Sequence, residues 1–175
     1  MPIDTSIDFV AINIAVITIS DSRTLENDTS GDTLEKRINE AGHHMMKRTI
    51  IPDDVSQIKE TLTSMSKLKE IDCIITTGGT GLTGRDTTPE AVKEIANKHI
   101  DGFGELFRQV SFNKIGTSAI QSRAVAALIN STYVFCLPGS TGACKDGWDE
   151  ILKYQLDIRH KPCNFVEIMP RLNEK

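Results

Sequence analysis

Two aspartates and a glycine-rich loop are the residues of this chain whose types and spacing can do chemistry. Residues 72–92 read DCIITTGGTGLTGRDTTPEAV: an apolar run, then a loop rich in glycine, then a helix start. Gly78, Gly79, Gly81 and Gly84 permit positive φ and close approach of backbone N–H groups, and successive N–H groups form an anion-binding nest. In the same loop Arg85 can neutralise phosphate oxygens. Asp86 would repel a bare phosphate, so its position makes most sense if it holds a divalent cation that bridges phosphates, or orients a reacting group. The plainer alternatives are a tight turn for the loop and a turn cap for Asp86. No Lys follows the glycines and no GxGxxG occurs, so neither the Walker pattern nor the dinucleotide fingerprint is present.

Elements on either side must position this loop. Residues 73–75 read as a strand buried on both faces of a parallel sheet. Thr88 precedes Pro89 and is pushed out of the α region, whereas Pro89 suits the first helical turn, so a helix is expected there with Thr88 as its cap. Upstream, residues 11–20 (AINIAVITIS) form a strand ending in Ser20 and Asp21. A helix follows with Ser30 as cap, an apolar face at Leu34, Ile38 and Ala41, and Gly42 as its stop. Residues 45–51 are a second strand closing in IPDD. Val55, Ile58, Leu62 and Met65 then repeat at helical spacing, with Asp53 or Asp54 available as the cap. Downstream, Val92, Ile95, Ala96 and His99 share one helix face, with His99 read as a boundary core histidine. Phe103, Leu106, Phe107 and Val110 mark another helix. Residues 118–123 fit a short helix or a turn. Residues 124–129 and 132–137 form a hairpin about Asn130 and Ser131, ending in Pro138, Gly139, Ser140 and Thr141. Trp148, Ile151, Leu152 and Leu156 keep helical spacing, which makes Trp148 a core anchor. Residues 1–10 read as a tail or short edge element, and those from Lys161 onward as irregular. Adjacent His43 and His44 cannot share a helix face and give no metal pattern.

Strands alternating with helices imply a three-layer α/β/α fold with a mostly parallel sheet, in which ligands gather outside the carboxyl ends of the strands. Ser20 and Asp21, Pro52 and Asp53, residues 78–86, and residues 138–140 all fall at those ends. A single cleft with carboxylates, hydroxyls and glycines results, suited to an anionic ligand handled through a metal.

The chain has 175 residues and a hydrophobic content of 39%, appropriate to one domain over residues 1–175 with its core at about 11–160. A net charge of −4 gives no footprint for nucleic acid. The N-terminus has no basic region, and its apolar stretch is interrupted by Asn13, so neither signal peptide nor membrane span is expected. Cys73, Cys136, Cys144 and Cys163 lack CxxC spacing and read as reduced thiols of a cytoplasmic protein.

The runs TTGGTGLTGRDTTPEA, SGDTLEKRINEAGH and SRAVAALINSTYVFCLPGS resemble the molybdopterin-binding family of molybdenum cofactor biosynthesis. The resemblance extends from about residue 15 to about residue 156, and GTSAIQSRAVAA and KPCNF are similar to its B-type branch. It implies a reaction in which the terminal phosphate of molybdopterin attacks the α-phosphate of ATP, giving adenylylated molybdopterin and pyrophosphate. Matched residue by residue, the family's essential aspartate falls on Asp86 and its Mg²⁺-associated aspartate on Asp53. Ser20, Asp21 and Gly31 would lie near the nucleotide. Gly78, Gly79, Thr80, Gly81, Ser122, Pro138, Gly139 and Ser140 would hold phosphate or pterin, with Arg85 as a further phosphate partner. B-type membership also implies a second reading, a non-catalytic accessory protein of the same pathway that binds molybdopterin or an intermediate without adenylylating it. B-type chains lacking activity need not keep the PD aspartate, which here is present in IPDD. The resemblance also implies a homo-oligomer, a trimer or a hexamer of two trimers, with residues 9–12 and 103–112 as apolar regions to cover.

Overall fold

The computed structural model describes residues 3–174. β-branched runs form the centre of the fold. Strands β1 (Asn13–Ile19), β2 (His44–Ile51) and β3 (Cys73–Thr77) alternate with helices α1 (Thr29–Glu40) and α2 (Val55–Met65). Helix α3 (Thr88–Ile95), the two-residue strand β4 (Lys98–His99) and helix α4 (Asp101–Ile115) follow. A 3₁₀ segment (Gly116–Gln121) then leads into the hairpin of β5 (Val125–Ile129) and β6 (Thr132–Leu137). Helix α5 (Thr141–Gly147) continues through a π turn (Trp148–Leu152) into α6 (Lys153–Gln155), and a short α7 (Phe165–Ile168) lies in the C-terminal segment.

The six-stranded sheet has the order β2-β1-β3-β6-β5-β4. Neighbours from β2 to β6 are parallel, and the last two pairings are antiparallel. The hairpin turns through Asn130 and Ser131, both at positive φ (48° and 70°), as a two-residue turn between twisted strands requires. Alternation along each strand sends side chains to two cores, one per face. Ile14, Val16, Ile75 and Phe135 pack under Leu34 and Ile38 of α1, Phe103 and Phe107 of α4, and Trp148. Ala15, Ile17, Ile74 and Val134 pack under Ile58, Leu62 and Met65 of α2 and Ala91 and Val92 of α3. This is a layer of helices on each side of a mixed, mainly parallel sheet.

Several boundaries differ from expectation. Asp28, not Ser30, caps α1 by accepting from Gly31 N–H at 3.0 Å, which leaves Ser30 buried inside the first turn. Thr87, not Thr88, occupies the cap position of α3. Thr88 instead donates its hydroxyl to Gly78 O at 3.1 Å, because the glycine loop folds back over the helix start. His99 is exposed rather than at a core boundary: α3 ends at Ile95 and the chain pairs as an edge strand with Ala127. Residues after Lys161 are not wholly irregular, since Asn164 caps α7 by accepting from Glu167 N–H at 2.8 Å. Among the described residues, no helix is long and apolar enough to cross a membrane.

Candidate functional site

The carboxyl ends of β1, β3 and β6 open into a cleft of about 600 Å³, and the backbone of two glycines shapes its floor. Gly78 and Gly79 take φ of 107° and 64°. A Cβ at Gly78 would lie 2.1 Å from Ile19 O, so the loop touches the end of β1 only because that position is bare. Gly81 and Gly84 could also have taken positive φ, and neither does. Gly81 is required for space instead, since its Cβ would meet Asp86 Oδ2 at 2.7 Å, whereas Gly84 faces nothing within 4 Å.

The loop is stitched to its neighbours. Gly78 N–H donates to Leu137 O at 3.0 Å and Thr88 N–H to Gly79 O at 3.0 Å. By contrast, the N–H groups of Gly79, Thr80, Gly139 and Ser140 have no hydrogen-bond partner among the described residues. Unsatisfied backbone donors at the rim of a cleft are what an anion finds attractive. Ser140 O accepts from Cys144 N–H at 3.1 Å, and its hydroxyl oxygen accepts from Ala143 N–H at 3.1 Å, so Ser140 starts α5 as well as lining the cleft.

Of the expected site residues, the cleft brings together Asp53, Gly78, Gly79, Thr80, Gly81, Asp86, Ser122, Pro138, Gly139 and Ser140. Four fall outside its lining. Ser20 is used locally, its hydroxyl oxygen accepting from Ser22 and Arg23 N–H at 3.2 Å each. Gly31 sits buried where a Cβ would meet Asp28 Oδ2 at 2.1 Å and Arg48 Nε at 2.8 Å. Its bareness serves a packed ion pair beneath α1. Asp21 stands at the edge, accepting from Asp53 N–H at 3.2 Å. Arg85 points to Asp21, with Nη1 3.6 Å from Asp21 Oδ2 and a side chain 81% exposed.

The choice between Asp53 and Asp54 is settled by these contacts. Asp54 caps α2, accepting from Gln57 N–H at 2.8 Å, which frees the Asp53 carboxylate for the cleft. Burial pushes the Asp53 carboxyl up, and the negative charges of Asp21 and Asp86 push it the same way. Asp86 behaves oppositely. The Thr83 hydroxyl donates to its Oδ2 at 2.6 Å and Thr83 N–H at 2.8 Å, and the hydroxyl bond in particular holds the carboxyl below the usual range. Among the lining residues are Asp53, Asp86 and Asp146, and no Lys or Arg.

Arg123 was not foreseen. Its Nε donates to Gly81 O at 2.7 Å, its Nη2 to Asp86 O at 2.6 Å, and its Nη1 pairs with Glu90. One guanidinium therefore ties both ends of the Gly81–Asp86 segment to the start of β5. The two backbone oxygens it binds lie far away in sequence and leave no spacing signal.

The donor set suits a hard cation held partly by the ligand. Asp53 and Asp86, with loop glycines leaving them room, match Mg²⁺, which uses one or two carboxylates and completes its shell with phosphate oxygens and water. No group of three or more His, Cys, Asp or Glu able to cage a metal occurs among the described residues. At the amino end of the sheet a depression of about 490 Å³ is lined by residues that include Lys67, Asp72, Asn130 and Asn173. It lacks glycine-loop donors.

Comparison with known proteins finds relatives over most of the chain. A family described as "Probable molybdopterin binding domain" matches residues 15–158. The chain is 42% identical over 160 residues to molybdenum cofactor biosynthesis protein B of Escherichia coli strain K12, covering 91% of this chain and 94% of that one. A crystal structure of a molybdenum cofactor biosynthesis protein B superposes with a TM-score of 0.85 at 35% identity, covering 95% of this chain and 98% of the other. The tungsten cofactor synthesizing protein of Pyrococcus furiosus superposes with a TM-score of 0.76 at 31% identity, covering 94% and 98%. The chain thus belongs to the molybdopterin-binding domain family of molybdenum cofactor biosynthesis.

Proposed function

We propose that this protein acts in molybdenum cofactor biosynthesis by binding molybdopterin in the cleft and joining its phosphate to the AMP portion of ATP, with release of pyrophosphate. The observation that carries this reading is a mismatch of charge. The cleft offers free backbone N–H donors to an anion, yet its charged lining residues are all aspartates. An anion enters such a cleft together with a cation, and polyphosphate with Mg²⁺ is that combination.

Asp53 and Asp86 would hold Mg²⁺, which when bound offsets negative charge on the phosphates. The chain's own groups do the rest. Gly79, Thr80, Gly139 and Ser140 present N–H donors that fix phosphate oxygens, and Arg123 holds the loop that carries Asp86. Phosphoryl transfer of this kind needs positioning and charge neutralisation and no covalent nucleophile. Asp21, and Arg85 paired to it, stand at the mouth on the side where the nucleotide would approach.

A non-catalytic pterin carrier is the second reading, favoured by the B-type relatives. Full-length protein supplied with ATP, Mg²⁺ and metal-free molybdopterin separates the two. Pyrophosphate release with formation of an adenylylated pterin supports the enzyme, and tight pterin binding without pyrophosphate supports the carrier.

The chain is further proposed to assemble as a trimer, or as two trimers. Ile12, Phe103 and Phe107 turn out to be buried within the subunit, but Leu106, Phe112 and Ile120 are 43%, 58% and 85% exposed along α4 and the 3₁₀ segment after it. Apolar groups clustered so closely fit a subunit contact. Light scattering that returns a monomer mass at micromolar concentration removes this assembly.

A further inference from the structure

The cleft does not end at its glycines. Its lining also includes Phe107, Ser111 and Ile115 of α4, which follow at successive helical turns, and Ala143 and Asp146 of α5. The α5 side is open, since a Cβ built on Gly142 would meet nothing within 4 Å. Apolar side chains with a few polar groups among them suit a heterocycle.

Asp146 is the charged group of this arm. Its side chain is 26% exposed, and its Oδ1 lies 3.7 Å from Lys114 Nζ, within ion-pair range but too far for a hydrogen bond. No hydrogen bond to its carboxylate occurs among the described residues, so both oxygens remain free to accept. A carboxylate pairs best with two parallel N–H donors in a plane, as it does with a guanidinium. A 2-amino-4-oxo pyrimidine ring carries that fork in its ring N3–H and exocyclic amine. Adenine does not: its amine stands beside the N1 lone pair, which the carboxylate repels.

We infer that Asp146 reads the N3–H and 2-amino edge of the pterin ring, placing the heterocycle between α4 and α5 and leaving the glycine and aspartate end to phosphates. The assignment rests on the cleft being a pterin site, and it adds the residue that distinguishes pterin from other flat rings and sets the direction in which the ligand lies.

Calorimetric titration of the full chain with 6-hydroxymethylpterin monophosphate and with its 2-oxo counterpart tests it. Wild type is expected to prefer the 2-amino compound by about tenfold or more, the worth of one good paired contact. The 2-oxo ring presents one donor beside one acceptor, which complements an asparagine amide. Asp146→Asn should therefore invert the preference, and Asp146→Ala should bind both compounds weakly and alike. Lys114→Ala should keep the wild-type order, whereas a purely structural ion pair would make it behave as Asp146→Asn does. Thermal melting verifies that each variant is folded. The wild-type ratio needs no variant, and a ratio near one overturns the assignment. Tight pterin binding with the same preference in wild type and Asp146→Asn overturns the role of Asp146 alone. Failure of wild type to bind either compound overturns the pterin site as well.

Discussion

Two clusters of carboxylates, built from the same residue types, meet opposite fates in this fold. Beneath α1, Asp28, Asp32 and Glu35 surround Arg48, whose Nη atoms lie 2.9, 2.6 and 2.9 Å from them. Burial opposes ionisation there, yet hydrogen bonds from the Thr18 hydroxyl, Gly31 N–H and Arg48 leave the Asp28 carboxyl below its usual range. At the cleft, Arg85 reaches Asp21 but lies largely in solvent, and Arg123 binds the backbone oxygen of Asp86 rather than its carboxylate, so neither Asp53 nor Asp86 has an ion-pair partner among the described residues. Burial and neighbouring negative charge push Asp53 up. The paired cluster holds the scaffold, whereas under the proposed function the cluster without an ion-pair partner is the one left for a ligand to complete. Charge balance, not residue type, separates the two.

The largest effect should come from breaking the balanced cluster. Arg48→Met leaves Asp28, which is fully buried, without its cation, and should cost about 3–5 kcal/mol in urea unfolding. A loss below about 1 kcal/mol would show that the cluster relaxes into water and is no scaffold. Next, Arg123→Gln releases Gly81 O and Asp86 O and lets the loop drift. Turnover should fall about a hundredfold with only a modest change in stability, because misplacement of about 1 Å at a reacting centre costs that much. Equal losses of stability and turnover would reduce Arg123 to a structural tie.

His43 provides a third contrast, a buried titratable group far from the cleft. It packs between Phe9 and Trp148, accepts from Ile12 N–H at its Nδ1 at 3.3 Å, and faces the charges of Asp157 and His44. Burial lowers its pKa from 6.5 to about 4. The unfolded chain takes up this proton first on acidification, so the neutral ring's contribution is complete above about pH 6.5 and is lost as pH falls toward 4. His43→Gln keeps an acceptor for Ile12 and removes the titration. Between pH 7 and 4.5 its stability should fall by on the order of 2 kcal/mol less than that of wild type. Parallel pH profiles would mean that His43 takes up its proton in the folded protein as readily as in the unfolded chain, and so is open to water. The smallest effect is expected at Asp53. Its raised pKa means that the ionised form strains the fold, so Asp53→Asn should stabilise the ligand-free protein by about 0.5 kcal/mol after solvent screening. Destabilisation instead would place Asp53 with the scaffold.

Much of this was legible in the residues. β-branched runs at β1 and β3 gave the parallel centre, and glycine and proline marked where the chain had to stop. What escaped depends on contacts between distant segments. Val92, Ile95, Ala96 and His99 keep a helical period, yet Lys98 and His99 pair with Leu128 and Ala127, and an edge pairing leaves no trace in local periodicity. Asp53 and Asp54 are interchangeable as sequence, and only the bond from Asp53 N–H to Asp21 and the Asp54 cap tell them apart. Arg123 binds backbone oxygens on another loop, which no side-chain pattern announces. The extension of the cleft to Asp146 arises from the approach of α4 to α5, also a product of packing.

The claim that the unbalanced carboxylates await a cation carried by phosphate is tested most directly by titrating ATP into the full chain with Mg²⁺ or with EDTA, for wild type, Asp53→Asn and Asp86→Asn. Wild type should bind ATP at least about tenfold more tightly with Mg²⁺ than without it, and each variant should lose most of that difference while staying folded. ATP binding by wild type that is as tight in EDTA as in Mg²⁺ would contradict it.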